Sequence, residues 1–259
     1  MLPLIALLTV TAYLLAAREQ RGGRLAVAGA GAAILLHAYL IQALATDDGR
    51  MRIGVSLAVS LMAWQTATLL WLAARRAPLQ PLRRPVYGIA ALAALLPVLL
   101  PGTGGEVMVG DWRIRLHVAL SLLSMGLLTL GAIQAVLLAA QERYLHARGH
   151  GGGDSRLPPL QTMEFLLFAF VGAGFALLSL TLLTGLVFVE DLLAQHLAHK
   201  TVLSLLAWAM LGALMLGRWK YGWRGRTAIR WTLSGYAVLL LAYFGSKFVL
   251  EALLGRQWS

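Results

Sequence analysis

The run Phe165-Leu-Leu-Phe-Ala-Phe-Val-Gly-Ala-Gly-Phe-Ala-Leu-Leu-Ser-Leu-Thr-Leu-Leu-Thr-Gly-Leu-Val-Phe-Val189 lies between Glu164 and Glu190 with no charge inside it. A helix needs about 20 apolar residues to cross a hydrocarbon core of ~30 Å, and this run exceeds that. It reads as a membrane span. Working outward, similar stretches recur at Leu2–Ala17, Arg24–Ala45, Ile53–Ala73, Pro85–Leu100, Ile114–Ala140, Lys200–Gly217 and Ala228–Leu254. With Glu164–Val189 they make eight. The first and fourth are short, and Pro97 and Pro101 near the end of the fourth leave a re-entrant segment open there.

Composition agrees. Of 259 residues 59% are hydrophobic and 13% charged, with a mean hydropathy of +0.74. A soluble domain carries about twice that charged share, because its surface must be wetted. The expected fold is therefore an all-α integral membrane bundle of about eight helices, within a lipid bilayer and with no soluble domain. The N-terminal run has neither a basic n-region nor an A-x-A site before Arg18–Arg21, so it reads as a retained first helix, not a signal peptide. Cysteine is absent. That excludes a thiol relay, a cysteine-held metal or iron–sulfur site, and covalent haem attachment through C-x-x-C-H.

The net charge of +11 invites a nucleic-acid reading, but its placement fits membrane orientation. Odd-numbered loops hold Arg18, Arg21 and Arg24; Arg75, Arg76, Arg83 and Arg84; Arg143, Arg148 and Arg156; then Arg218, Lys220, Arg224, Arg226 and Arg230. Even-numbered loops hold Asp47 and Asp48, Glu106 and Asp111, Glu190 and Asp191. Basic loops stay in the cytoplasm. All seven loops fit one topology, with both termini on the outer face of an inner membrane. The longest loop, Gln141–Thr162, carries Gly149, Gly151–Gly153 and Pro158–Pro159 and reads as a flexible cytoplasmic connector. It divides a single membrane domain, 1–259, into a five-helix front (1–140) and a three-helix back (163–259). No internal repeat points to an inverted-repeat transporter.

Polar side chains inside a membrane need a partner or a purpose. His117 has Arg113 one turn before it and Ser121 and Ser124 one and two turns after, a single stripe at helical spacing. An imidazole with a guanidinium nearer the surface suits haem iron and a propionate. A histidine bonded to a neighbouring helix beside a snorkelling arginine is the plainer alternative. His37 sits between Leu36 and Ala38, where a packed core role competes with ligation. His196 and His199, spaced i,i+3 after Glu190 and Asp191, can share a helical face or belong to an interfacial helix. His146 and His150 belong to the glycine-rich loop. Lys247 and Glu251, one turn apart, form an ion pair or leave Lys247 to an anionic ligand. P-loop, H-E-x-x-H and G-x-S-x-G signatures are absent, which argues against an enzyme.

Several segments resemble the cytochrome c assembly protein family, the CcsA/CcmC/HemX-like superfamily that handles haem during c-type cytochrome maturation. They are Gly174-Phe175 through Thr184-Gly185, His199-Lys200 through Trp208, Gly222-Trp223-Arg224-Gly225-Arg226, Ala242-Tyr243-Phe244-Gly245 and Leu116-His117-Val118 through Ser124. Pro158-Pro159-Leu160 ahead of Met163-Glu164 points to the YpjD/HemX-like branch. The resemblance runs from about residue 31 onward and implies two haem-ligating histidines, at the positions of His117 and His37, for a non-covalent haem b. One iron is not expected to take both, because His37 lies about eight residues in from its helix end, ~12 Å deep. A haem at His117 then takes His196, His199 or a methionine as second ligand, or stays five-coordinate, with Arg113 and Lys247 facing propionates.

The departures are specific. Haem-exporting members carry a tryptophan-rich outer loop where this chain has Glu190-Asp-Leu-Leu-Ala-Gln-His-Leu-Ala-His199, and a histidine where it has Leu216. The resemblance thus implies a kept scaffold with a reduced haem platform, and full cytochrome c synthase activity is not expected. Three readings follow: a haem-binding accessory protein; a regulatory or interaction protein, in haem-biosynthesis control or divalent-cation homeostasis, that kept the fold without haem; and a small-ion transporter using His196, His199 and Glu190. In the second, Arg218–Arg230 meets a cytoplasmic or membrane protein partner or anionic lipid.

Overall fold

The computed structural model describes residues 1–18, 24–47, 50–75, 79–101, 105–106, 111–148, 158–188 and 195–248, with backbone alone at 24–26, 47, 50–53, 105–106, 148, 195–199 and 246–248. In order these form α1 (Leu2–Arg18), α2 (Arg24–Ala45), β1 (Thr46–Asp47), β2 (Arg50–Ile53), α3 (Val55–Ala73), α4 (Gln80–Leu99), β3 (Gly105–Glu106), α5 (Trp112–Arg148), α6 (Leu160–Phe188), α7 (Gln195–Tyr221) and α8 (Gly225–Phe248). Among the described residues, seven helices are long and apolar enough to cross a membrane, and α1, at 17 residues, is shorter. The chain is a helical membrane bundle. α4 is one continuous helix of 20 residues despite Pro85 and Pro97 inside it, so it is long enough to span without re-entering.

Contacts group the chain into two compact units, α1–α4 with the short strands and α5–α8. The division falls at Gly110/Asp111, not at the long connector, because α5 packs on α6 and α8. The connector is also shorter than its composition suggests. Residues 141–148 continue α5, which at 37 residues outruns the bilayer. Glycine and proline interrupt a helix only where they occur, and none falls between Gln141 and Arg148.

In the first unit α1 lies against α2 and α4, and α3 against α2 and α4. The buried face of α1 is Ala6, Thr9, Tyr13, Ala16 and Ala17, three to four residues apart, as one helical stripe requires. Trp64 and Trp71, two turns apart on α3, donate their indole N–H groups to the carbonyls of Ile34 and Val27 on α2, each at 2.9 Å. A short antiparallel sheet, β1-β2-β3, pairs Thr46 with Met51 and Arg52 with Glu106. It ties the α2–α3 and α4–α5 loops together at one end, as the acidic even-numbered loops of the expected topology require.

The second unit repeats the ring, α5 on α6 and α8, and α7 on α6 and α8. Close approach here depends on small residues, the usual means by which helices associate where lipid is as apolar as the interface. A Cβ on Gly174 would stand 2.7 Å from Leu128 Cγ, and one on Gly131 would stand 3.0 Å from Val171 Cγ2. Phe175 stacks on Trp208, whose indole donates to Ser179 Oγ at 2.9 Å. These residues of the Gly174–Gly185 and His199–Trp208 motifs are packing contacts between α6 and α7. Gly222, at φ +67°, ends α7 in the left-handed cap: its N–H bonds Arg218 O while Trp223 N–H bonds Gly217 O.

Candidate functional site

The end of the second unit where α5 begins collects most of the candidate residues. Asp111 caps α5, its Oδ1 accepting the Arg113 N–H at 3.1 Å. That start fixes His117 within the second turn, half-buried against α6. Its Nδ1 meets Thr184 Oγ1 at 3.1 Å. The Thr184 hydroxyl itself donates to Thr181 O at 3.0 Å, so toward the imidazole it can only accept. Nδ1 therefore carries the proton, and Nε2 keeps its lone pair. A hydroxyl-anchored Nδ1–H with an open Nε2 is the arrangement that presents a histidine to a metal. Gly185 makes room for the ring, since a Cβ there would stand 3.2 Å from His117 Cε1.

The rest of the polar stripe divides. Arg113 is exposed, its guanidinium carbon 6.0 Å from the Trp112 ring centroid, and Trp112 meets Phe188 edge-on at 6.1 Å. Ser121 and Ser124 are structural: Ser121 Oγ donates to His117 O at 2.8 Å and Ser124 Oγ to Gly174 O at 3.0 Å. Neither presents a free hydroxyl beside His117.

Antiparallel packing brings the start of α7 and the end of α8 to the same end of this unit. The backbones of His196, His199 and Lys247 lie there, within α7 and α8. Their side chains, and Glu190, Asp191 and Glu251, lie outside the described residues, as does His150. His146 is exposed, its Nδ1 bonded to Glu142 O at 2.7 Å within α5.

His37 belongs to the first unit and has different surroundings. It is 0% exposed, with Nδ1 3.2 Å from Tyr13 Oη and Nε2 2.8 Å from Ser60 Oγ. The Tyr13 ring meets it edge-on at 5.6 Å and stacks on Tyr87 at 5.8 Å. Both imidazole nitrogens are engaged, so ligating iron would break one buried hydrogen bond. Haem chemistry fits His117 at the level of one axial ligand and does not fit His37 as it stands.

Reading the sequence alone misses Thr184 and Gly185. Both close the Gly174–Gly185 motif, and a Thr-Gly pair on the helix facing His117 is the available signal. Tyr13 and Ser60 carry no local signal, because each is one small polar group in an apolar helix.

Comparison with known proteins joins these observations. The model of the cytochrome C assembly protein family matches residues 1–254. The chain belongs to this family. The inner membrane protein YpjD of Escherichia coli K12 is 30% identical over 96% of this chain and 98% of its own length. An uncharacterized protein of Azospirillum brasilense is 35% identical over 68% of this chain and 66% of its own length. The cytochrome c biogenesis protein CcsA of Trichormus variabilis is 25% identical over 40% of this chain and 30% of its own. No solved structure matches the chain. With its apolar helices and its likeness to an inner membrane protein, this member of the cytochrome c assembly family is a multi-pass protein of the bacterial inner membrane.

Proposed function

We propose that the chain is a non-enzymatic haem-handling protein, accessory to cytochrome c biogenesis or haem homeostasis, that holds a non-covalent haem b through His117 Nε2. The observation that carries this is the hydrogen-bond order Nδ1–H to Thr184 to Thr181 O, which assigns the imidazole lone pair to Nε2. Haem supplies an iron centre that can be ligated and carried, and two propionates. Thr184 sets the tautomer and aims the ring, and Gly185 lets the ring sit flush with α6. Arg113 and Lys247, at the same end of the unit, offer cations to propionates. His196 or His199 would be the further imidazole available to hold the group at this end of the unit.

The test is an absorption spectrum of detergent-purified protein, as isolated and through a haemin titration, with His117→Ala alongside. A Soret band approaching one haem per chain that is lost in the variant is the expected result. Wild-type protein that takes up no haemin overturns the proposal.

A second reading has its own observation. With both nitrogens of His37 bonded inside the first unit, the early-helix ligand implied by family resemblance is committed to packing. That favours a membrane regulator or interaction protein, in haem-biosynthesis control or divalent-cation homeostasis, which has kept the fold and left haem behind. Failure of haemin uptake selects it.

A further inference from the structure

At the opposite end of the second unit, α5 and α8 border a groove of about 380 Å³ whose lining includes Arg143, Arg226 and Arg230, with Glu142, Ala139 and Ile229. All three arginines are exposed, and none forms an ion pair among the described residues. Of the two nearby carboxylates, Glu164 is bonded to the start of α8 and Glu142 is part of the lining. Glu164 Oε1 accepts the Gly225 N–H at 2.9 Å, and Glu142 Oε1 lies 3.0 Å from where a Cβ on Gly225 would stand. Glu164 thereby satisfies the helix N-terminus, which favours negative charge. Three arginines against the single Glu142 carboxylate leave the groove lining net positive.

Its depth is marked by aromatic residues. Trp219 is 84% and Tyr221 68% exposed, and Trp223 bridges Tyr221 and Trp231 with centroid separations of 6.5 and 5.5 Å. Such amphipathic rings collect at headgroup level. The apolar part of the lining, Ala139 and buried Ile229, lies toward the membrane side of Arg143 and Arg226 along their helices, at the level of Arg230. Cationic groups at headgroup depth above an apolar flank match a phosphodiester with its acyl chains attached. They match a fully soluble anion less well, since it gains nothing from Ala139 and Ile229. Arginine also binds phosphate through paired N–H groups.

We propose that this groove is a specific site for the phosphate headgroup of an anionic phospholipid, a further binding site separate from the His117 end. It is consistent with basic pockets between membrane helices elsewhere, and it does not depend on haem.

The experiment uses the full chain in nanodiscs of phosphatidylcholine alone or doped with phosphatidylglycerol or cardiolipin. It measures Tm and the lipid retained on extraction into mild detergent. Arg143→Gln/Arg226→Gln/Arg230→Gln is compared with Arg18→Gln/Arg75→Gln, which removes exposed charge from the first unit without touching the groove lining. Retention of anionic lipid should fall by about fivefold for each groove arginine removed, with the Tm gain from anionic lipid lost. The control variant should behave as wild type. Equal loss in the control reduces the effect to bulk surface charge and overturns the proposal, as does undiminished retention in the triple variant. Inorganic phosphate in phosphatidylcholine nanodiscs separates the sources: a Tm gain matching that from phosphatidylglycerol makes this a soluble-anion site and also overturns it. All substituted side chains are exposed, so the variants are expected to fold, and their Tm in phosphatidylcholine checks this directly.

Discussion

The two four-helix units each hold a histidine on a membrane helix, and the two are not equivalent. In α1–α4 the His37 ring is wholly enclosed and bonded at both nitrogens, to Tyr13 and Ser60. In α5–α8 the His117 ring is half-buried and bonded at Nδ1, to a threonine whose own proton is already committed. The same side chain is a packing element in one unit and an available donor in the other. What separates them is the number of partners, the direction of the hydrogen bonds and the enclosure of the ring, not the residue type.

That contrast can be broken most strongly by removing the two rings in turn. His117→Ala should abolish saturable haemin uptake, at least about a 100-fold loss of affinity where an iron ligand is removed, with Tm little changed. His37→Ala should do the reverse. It strands the Tyr13 and Ser60 hydroxyls in the core at about 1–3 kcal/mol each, so Tm in detergent should fall by several degrees while haemin uptake persists. If both variants lose haem equally and both stay folded, the contrast is wrong.

Smaller changes sharpen it. Thr184→Val keeps the shape beside His117 and removes the acceptor that fixes its tautomer. Haemin affinity should fall by about 10-fold, toward the low end for loss of a supporting hydrogen bond, and an unchanged titration would show that Thr184 positions nothing. Gly185→Ala brings a methyl group to the 3.2 Å gap beside His117 Cε1. A displaced ring should weaken haemin binding only a few-fold, read from the same titration, and unchanged binding would show that the gap beside Cε1 is not needed.

Much of this was legible beforehand, for identifiable reasons. Spans announce themselves because backbone groups in lipid must be satisfied within the segment, so each crossing is a long apolar run. All seven helices that meet the span criterion correspond to expected segments, and only their ends moved. The end of α5 moved most, because Gln141–Arg148 is polar yet contains nothing that stops a helix. The strands around Thr46 and Arg50 had no signal, being two to four residues long and held by backbone pairing alone. At the candidate site His117 and Arg113 were visible as a spaced pair, whereas Ser121 and Ser124, members of the same stripe, turned out to bond the backbone.

The sequence by itself determined that this chain lives in a membrane, where its helices run and, through the family motifs, which histidines merit attention. Hydropathy and loop charge are local properties that need no knowledge of neighbours. Only the tertiary structure decided that α5 packs on α6 and α8, that Thr184 faces His117, and that Tyr13 and Ser60 occupy both sides of His37. Those facts depend on residues 67, 24 and 23 positions away in the chain. A hydrogen bond across helices is set by packing distance and donor direction, and neither is written in a single segment.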